Sequence, residues 1–279
     1  MKKKYTFDEN FYTKFYPDIK CASENNSIIP LEHYNKHGIM EKRVCCQEEL
    51  NDIVNKNTEK IKNEYKNCID ITFKNPENKF NILIRTSMRP EFFKLCINSI
   101  LTQKYNNYHI YICYDNTESL SYLNQYKLTK NITFFFIEND STEKYKFNLY
   151  NNTLMDMVND GFIIFLDDDD VLTHNLCLKI INENIIDENS ILIWKFMRPD
   201  KLVYPKNIDD IKISEIDTTS LCFNCKYKNL SKWSDKQCGD FYFYSELFRK
   251  LKEMNIDNII KVNYILTKTI YSDKVCGSL

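Results

Sequence analysis

A chain of 279 residues with 38 basic and 39 acidic side chains has a formal net charge of -1, which gives no global field to hold a nucleic acid or an anionic membrane, so any recognition of phosphate must be local. No apolar run approaches the ~18 to 20 residues of a membrane span, and eleven cysteines, an odd number at irregular spacings, do not read as a disulfide framework. Met1-Lys2-Lys3-Lys4 leads into Tyr5-Thr6-Phe7-Asp8-Glu9 without an apolar signal region, so a cytoplasmic protein with reduced, mostly buried thiols is expected.

Three zones follow in chain order. Residues 1–46 are rich in aromatics: Phe7, Phe11, Phe15 and Tyr16 recur at helical spacing, Pro17 interrupts, and Leu31 to Lys36 form another turn stopped by Gly38. They predict a small helical appendage. Residues 47–79 are polar with sparse apolar positions such as Ile53 and Ile61 and end in Asn75-Pro76-Glu77-Asn78, a connecting helix and linker. From Phe80 the pattern alternates, with strands at 80–86, 108–114, 131–137, 162–166 and 191–197 and helices at about 90–103, 144–159 and 172–185. Such alternation predicts an α/β fold, a mostly parallel central sheet with helices on both faces. Beyond residue 198 it decays into short strands at 211–214 and 221–224 and a helix over about 241–251. Ligands of such sheets bind beyond the carboxyl ends of strands. Three of those ends carry polar groups: Thr86 to Arg89, Asp115-Asn116, and Asp167 to Asp170.

Asp167-Asp168-Asp169-Asp170 leave the apolar run Phe162 to Leu166. Like charges a few Å apart cannot all ionise without compensation. A hard divalent cation held by oxygen ligands, Mn²⁺ or Mg²⁺, removes the conflict and attracts a phosphate-bearing substrate. A solvated loop opening a helix near Val171 also tolerates carboxylates, but one capping aspartate would suffice there.

Asn81 to Glu91, the helix ending Ser99-Ile100-Leu101-Thr102-Gln103-Lys104-Tyr105, Tyr111 to Asp115, and Phe165 to Asp170 resemble, in order and spacing, the nucleotide half of family-2-type glycosyltransferases with the GT-A fold. The resemblance covers roughly residues 80 to 275; its second half rests on Trp233 and Gly239-Asp240 ahead of an apolar helix. It implies a GT-A domain over 80–279, with a nucleotide-binding half (80–170) and an acceptor-binding half (171–279). It further implies a nucleoside diphosphate sugar as donor, a uridine one expected, and a hydroxyl of a glycan or glycoprotein as acceptor. Thr86, Arg89 and Asp115 take the positions that hold nucleobase and ribose, although Tyr114-Asp115 stands where the family usually has two acidic residues. The Asp-x-Asp element maps onto Asp167, near ribose, and Asp169, on the metal that bridges the diphosphate. Asp168 and Asp170 are supporting charge and the competing register. Asp240 takes the place of the general base of inverting members, with Asp235 and Glu246 as substitutes; its competing reading is a helix N-cap. Asn151-Asn152 stand where relatives place a nucleotide contact. The late histidine that binds metal in some GT-A enzymes has no counterpart, which leaves Asp273 as a possible third ligand.

Trp233 and Trp194 suit a platform for the acceptor sugar, and also a core. Cys222-x-x-Cys225 lacks the second pair of a zinc site, and His33 with His37 beside Cys45-Cys46 reads as packing or surface. Residues 15–18 and 33–43 look like a short module found beside glycan-building enzymes of bacteria and large DNA viruses, which implies docking to a partner glycan enzyme or an acceptor. The strongest rival is a phosphohydrolase of the haloacid-dehalogenase type with Asp167 as nucleophile and Asp169 as acid/base. At least three predicted strands precede the motif, where that class has one. A nucleotidyltransferase would need a Gly-rich phosphate loop, and Thr86-Ser87-Met88-Arg89-Pro90 has no glycine. The last alternative is a non-catalytic glycan-binding relative.

Overall fold

Phe80–Thr86 (β1) is buried on both faces, which is why it reads as a near-continuous apolar run and not as an alternating one. It is central to the sheet of a computed structural model that describes residues 5–25, 27–40, 43–49, 51–52, 75–138, 144–199, 202–207 and 215–270. The chain divides into two compact units, whose described residues lie within 5–52 and 75–270.

The first unit contains the helices Glu9–Phe15 (α1), Pro17–Glu24 (α2) and Pro30–His33 (α3), the last running into a wider turn over Tyr34–Gly38. Asp8 caps α1 by accepting from Phe11 N at 3.0 Å. Tyr12 and Tyr16 are fully buried, and the Tyr16 hydroxyl accepts from Val44 N at 2.6 Å. These helices lie in the stretch read as a helical appendage, and most of the expected connecting helix over 47–79 lies outside the described residues. His33 Nδ1 is 3.1 Å from the Tyr12 hydroxyl, and its ring lies 5.4 Å from that of His37.

The second unit is a nine-stranded sheet. Its remaining strands are Tyr108–Tyr114 (β2), Ile132–Phe136 (β3), Phe162–Phe165 (β4), Asp170–Leu172 (β5), Ile191–Met197 (β6), Val203–Tyr204 (β7), Leu221–Asn224 (β8) and Ile259–Thr269 (β9). The order is β3-β2-β1-β4-β8-β6-β9-β5, with β7 on β6. β1 to β4 are parallel to one another, and β6 and β9 run the same way. β5, β7 and β8 are reversed. The helices are Pro90–Leu101 (α4), Leu120–Leu123 (α5), Tyr150–Asp156 (α6), Cys177–Asn184 (α7) and Gly239–Glu253 (α8). α6 and α8 bury Leu154, Met155, Phe243 and Leu247 with Leu83, Ile163 and Phe165 of the sheet. α4 is pinned near β5 by Ser99 Oγ, which accepts from Leu172 N at 3.1 Å.

Two departures from the sequence reading shape the site. The helix expected over 172–185 begins only at Cys177, because Asp170–Leu172 instead pair antiparallel with Thr267–Thr269 of β9. β9, an 11-residue strand, was not anticipated. Its pairing with β6 slips between Trp194 and Phe196, so its inward positions lose the strict two-residue period by which a strand is recognised. The stretch 211–214, expected as a strand, lies outside the described residues.

Both tryptophans are core residues, which corrects their reading as sugar platforms. Trp194 is 0% exposed in β6 and donates from Nε1 to Thr267 Oγ1 at 3.1 Å. Trp233 is 2% exposed, stacked on Phe243 at 4.8 Å and edge-on to Phe165 at 5.2 Å. Truncating either to alanine should cost about 3–5 kcal/mol of stability. Urea unfolding measures this, and a loss confined to acceptor affinity with stability intact would contradict it.

Candidate active site

The parallel register Leu83↔Phe165 brings the exits of β1 and β4 out side by side, so Arg85 to Arg89 from one strand meet Asp167 to Asp170 from the other. The aspartate run is a tight turn. Asp170 N donates to Asp167 O at 2.9 Å, and Ile270 N, just past β9, donates to Asp169 O at 2.8 Å. This turn splays the four carboxylates. Asp167, Asp169 and Asp170 converge, each offering an oxygen within 4.8 Å of the others; among the described residues no other group of three metal-ligating side chains does so. Asp170 is buried, and its Oδ1 has no hydrogen-bond partner.

Asp168 points elsewhere. It is 0% exposed, accepts from Thr86 Oγ1 at 2.6 Å, and is ion-paired with Arg89, whose Nη1 also lies 3.2 Å from Asp169 Oδ2. Thr86 is buried as well and bonded to the Tyr122 hydroxyl at 2.9 Å. Thr86, Arg89 and Asp168 therefore brace the turn against β1, with Thr86 and Asp168 buried and Arg89 partly exposed. The carboxylates that could hold a metal are thus Asp167 and Asp169, the expected pair, together with Asp170.

Arg85 was missed. Its Nε and Nη2 donate to Asp167 Oδ1 and Oδ2 at 2.6 and 2.8 Å, a bidentate pair, while Nη1 donates to Phe147 O at 2.9 Å and Asn148 Oδ1 at 3.2 Å. The signal was present, since a charge inside an otherwise apolar strand needs a counter-charge at close range. Asp115, at the exit of β2, accepts from the Tyr150 hydroxyl at 2.9 Å through Oδ2, and its Oδ1 has no hydrogen-bond partner. Asn152 is not available for the nucleotide contact expected of it: it exchanges two 2.9 Å hydrogen bonds with the Trp233 backbone.

Asp240 sits in the first turn of α8, whose cap residue Cys238 is left-handed (φ 55°) and makes no side-chain cap. Its Oδ1 accepts from Phe241 N at 2.8 Å. Burial lifts the carboxyl to about 6, opposed by that hydrogen bond and reinforced by the Asp167 charge. The two substitutes are elsewhere. Asp235 Oδ1 accepts from Tyr145 N and fastens a loop, and Glu246 is paired with Arg249 and Lys250 on the solvent side of α8. Asp217 is a second residue missed by the sequence. It caps the turn Thr218–Ser220, whose Thr218 O accepts from the Tyr244 hydroxyl of α8 at 2.6 Å. Burial, then the Asp240 charge, push Asp217 up to about 7. Burial likewise pushes Asp169 up to about 7, with Arg89 pulling it back and Asp168 and Asp167 adding to the rise. Asp273 lies outside the described residues.

The phosphohydrolase alternative fails on this geometry. Three strands precede the motif, and both oxygens of Asp167, its would-be nucleophile, are held by Arg85. The family model for glycosyl transferase family 2 matches residues 82–251, more than half of the chain and all of the site from Arg85 to Asp240. The chain belongs to this family. No curated protein sequence matches it. Among solved structures, the family-2 domain is similar to S. aureus TarS 1-349, with TM-score 0.56 at 16% identity over 68% of this chain and 60% of that one. TarS 1-349 in complex with UDP gives 0.55 at 14% over the same shares. Mannosyltransferase PcManGT from Pyrobaculum calidifontis, in complex with GDP-Man and Mn2+, gives 0.52 at 12% over 78% of this chain and 68% of that one. The chain therefore spans less than two thirds of the TarS chain it matches, and at these identities the likeness establishes the GT-A fold. The eight cysteines whose side chains are described are free thiols, all but Cys238 buried. No described helix is long and apolar enough to cross a membrane.

The raised carboxyls make the stability of this family-2 domain pH-dependent. The folded protein holds protons on Asp169, Asp217 and Asp240 up to about 6 to 7, whereas these groups start from 3.8. Between those limits the unfolded chain binds fewer protons than the folded one, so stability falls as pH rises through this window. With a chelator present, the melting temperature should drop from pH 5 to pH 8, and Asp217→Asn should flatten the slope; a rise over that range would contradict the assignment.

Proposed function

We propose that the chain is an inverting, metal-dependent glycosyltransferase that moves a sugar from a nucleoside diphosphate, uridine diphosphate being the expected carrier, to a hydroxyl of a glycan or glycoprotein. The observation that carries the reading is the convergence of Asp167, Asp169 and Asp170 at the carboxyl end of the parallel strands, with Asp240 at the start of α8 in the same electrostatic neighbourhood. The donor set supports a metal: three carboxylates, one with a buried oxygen lacking a partner, suit a hard divalent ion such as Mn²⁺ or Mg²⁺. Arg85 and Arg89 leave part of that charge uncompensated. A bound divalent ion would supply Lewis-acid stabilisation of the departing diphosphate.

The chain's own residues do the rest. Asp115 accepts from the nucleobase through its unpaired oxygen. Asp167, held flat by Arg85, fixes one side of the diphosphate site. Asp240, at about 6, is ionised at neutral pH yet basic enough to take the proton from the acceptor hydroxyl as that oxygen attacks the anomeric carbon, inverting it in one displacement. Residues 1–46 are given a docking role toward a partner enzyme of glycan synthesis, supported by the exposed apolar side chains Ile29, Leu31, Ile39 and Met40.

Two experiments test the reading. UDP with Mn²⁺ at ~100 times its dissociation constant should add roughly 2.7 kcal/mol of stability, read as a thermal shift. Asp169→Asn and Asp170→Asn should lose the Mn²⁺-dependent part, while Asp168→Asn should lower the melting temperature and keep the shift. An unaltered shift in Asp169→Asn and Asp170→Asn removes the metal site from the proposal. Asp240→Asn should keep the shift and lose on the order of 10² to 10⁴ in turnover, followed as UDP release from a panel of UDP-sugars. Full turnover in that variant would place the base elsewhere.

A further inference from the structure

The carboxylates of the β4 turn and the carboxylate of α8 belong to parts of the chain more than 60 residues apart, and their separation has to be held for both to act on one sugar. The N-cap residue of α8, Cys238, makes no side-chain cap hydrogen bond. One buried side chain lies between the two parts. Asn148, 5% exposed, accepts through Oδ1 from Arg85 Nη1 at 3.2 Å, and Arg85 grips Asp167 with its other edge. Through Nδ2 it donates to Lys236 O at 2.9 Å and, more weakly, to Ser234 O at 3.4 Å, both in the segment leading into α8. Gly239, the residue before Asp240, packs directly on this amide: a Cβ there would lie 2.6 Å from Asn148 Nδ2 and 3.1 Å from Cγ. A continuous set of contacts therefore runs from Asp167 through Arg85 and Asn148 to the start of α8.

We infer that Asn148 is the positioning residue that sets the base Asp240 against the diphosphate site, and that Gly239 is glycine so that α8 can seat on the Asn148 amide. The inference rests on the transferase reading above. Asn148 touches no substrate. It fixes where the proton acceptor stands relative to the anomeric carbon, and a displacement of about 1 Å in such a geometry costs on the order of 10²-fold in rate. A residue that merely stabilised the fold would lower the amount of active protein and leave the kinetic constants of the folded fraction alone.

The test uses the full chain with UDP-sugars as donors and UDP with Mn²⁺ as the binding probe, measuring UDP release, calorimetric affinity and melting temperature together. Asn148→Ala should lower kcat on the order of 100-fold with the UDP–Mn²⁺ affinity and the donor KM unchanged. Asn148→Asp, nearly isosteric, keeps the oxygen facing Arg85 and loses the donor facing Lys236 and Ser234; it should fold and show the same kcat-only loss. Gly239→Ala should lower kcat by pushing the amide from the other side, and the double variant Gly239→Ala/Asn148→Ala should be no slower than Asn148→Ala alone, because the methyl then has room. Wild-type kcat in folded Asn148→Asp, or losses that multiply in the double variant, overturn the positioning role while the transferase reading stands. No UDP release from the wild-type chain with any UDP-sugar overturns the transferase reading, and the inference falls with it.

Discussion

The site depends on one electrostatic constraint: six carboxylates, Asp167 to Asp170 with Asp217 and Asp240, act on one another at the carboxyl end of the sheet, and two arginines offset only part of their charge. The parallel pairing of β1 with β4 makes the compensation possible, because it sets Arg85 and Arg89 beside the aspartate run. Burying charge without a partner is costly, so each carboxylate must find a cation, a donor or a proton. The environments differ accordingly. Asp168 has Thr86 and Arg89, Asp169 shares Arg89 and Asp167 has Arg85, while burial raises the proton affinity of Asp168, Asp169, Asp170, Asp217 and Asp240.

This division separates scaffold from chemistry inside a run of identical residues. A buried ion pair contributes little net stability but becomes expensive when one partner is lost, which suits Asp168 and Arg89 to locking the turn. The remaining carboxylates concentrate negative charge at the carboxyl end of the sheet, which a hard divalent ion could compensate. The same turn is held on its far side by β9, whose end pairs with β5 and whose following residue bonds Asp169. The geometry of the turn therefore depends on residues near the end of the described chain as well as on β1 and β4.

The alternation of strands and helices from Phe80 to Met197 was largely legible in the sequence, because those strands are predominantly apolar and the intervening helices carry a clear buried face. The acidic run, Asp115 at a strand exit and Asp240 at a helix start were legible for the same reason: their positions follow from local pattern. Other features were not. β5 reads locally as the start of a helix, and only pairing with β9 makes it a strand. Trp194 and Trp233 carry the same local signal whether they line a sugar site or fill a core. Asn148 and Asp217 stand in unremarkable surroundings until segments far apart in sequence are brought together, and Arg85, marked by its charge in an apolar strand, meets its partner only then.

The sequence by itself determined that this chain builds a mostly parallel α/β sheet and that its charge collects at strand ends, since residue type and period are local properties. Which aspartate of the four braces and which converge was decided only by the tertiary structure. Identical side chains in one turn point in different directions, and their roles depend on which partner, Thr86, Arg89, Arg85 or none, the folded chain places within hydrogen-bonding reach of each.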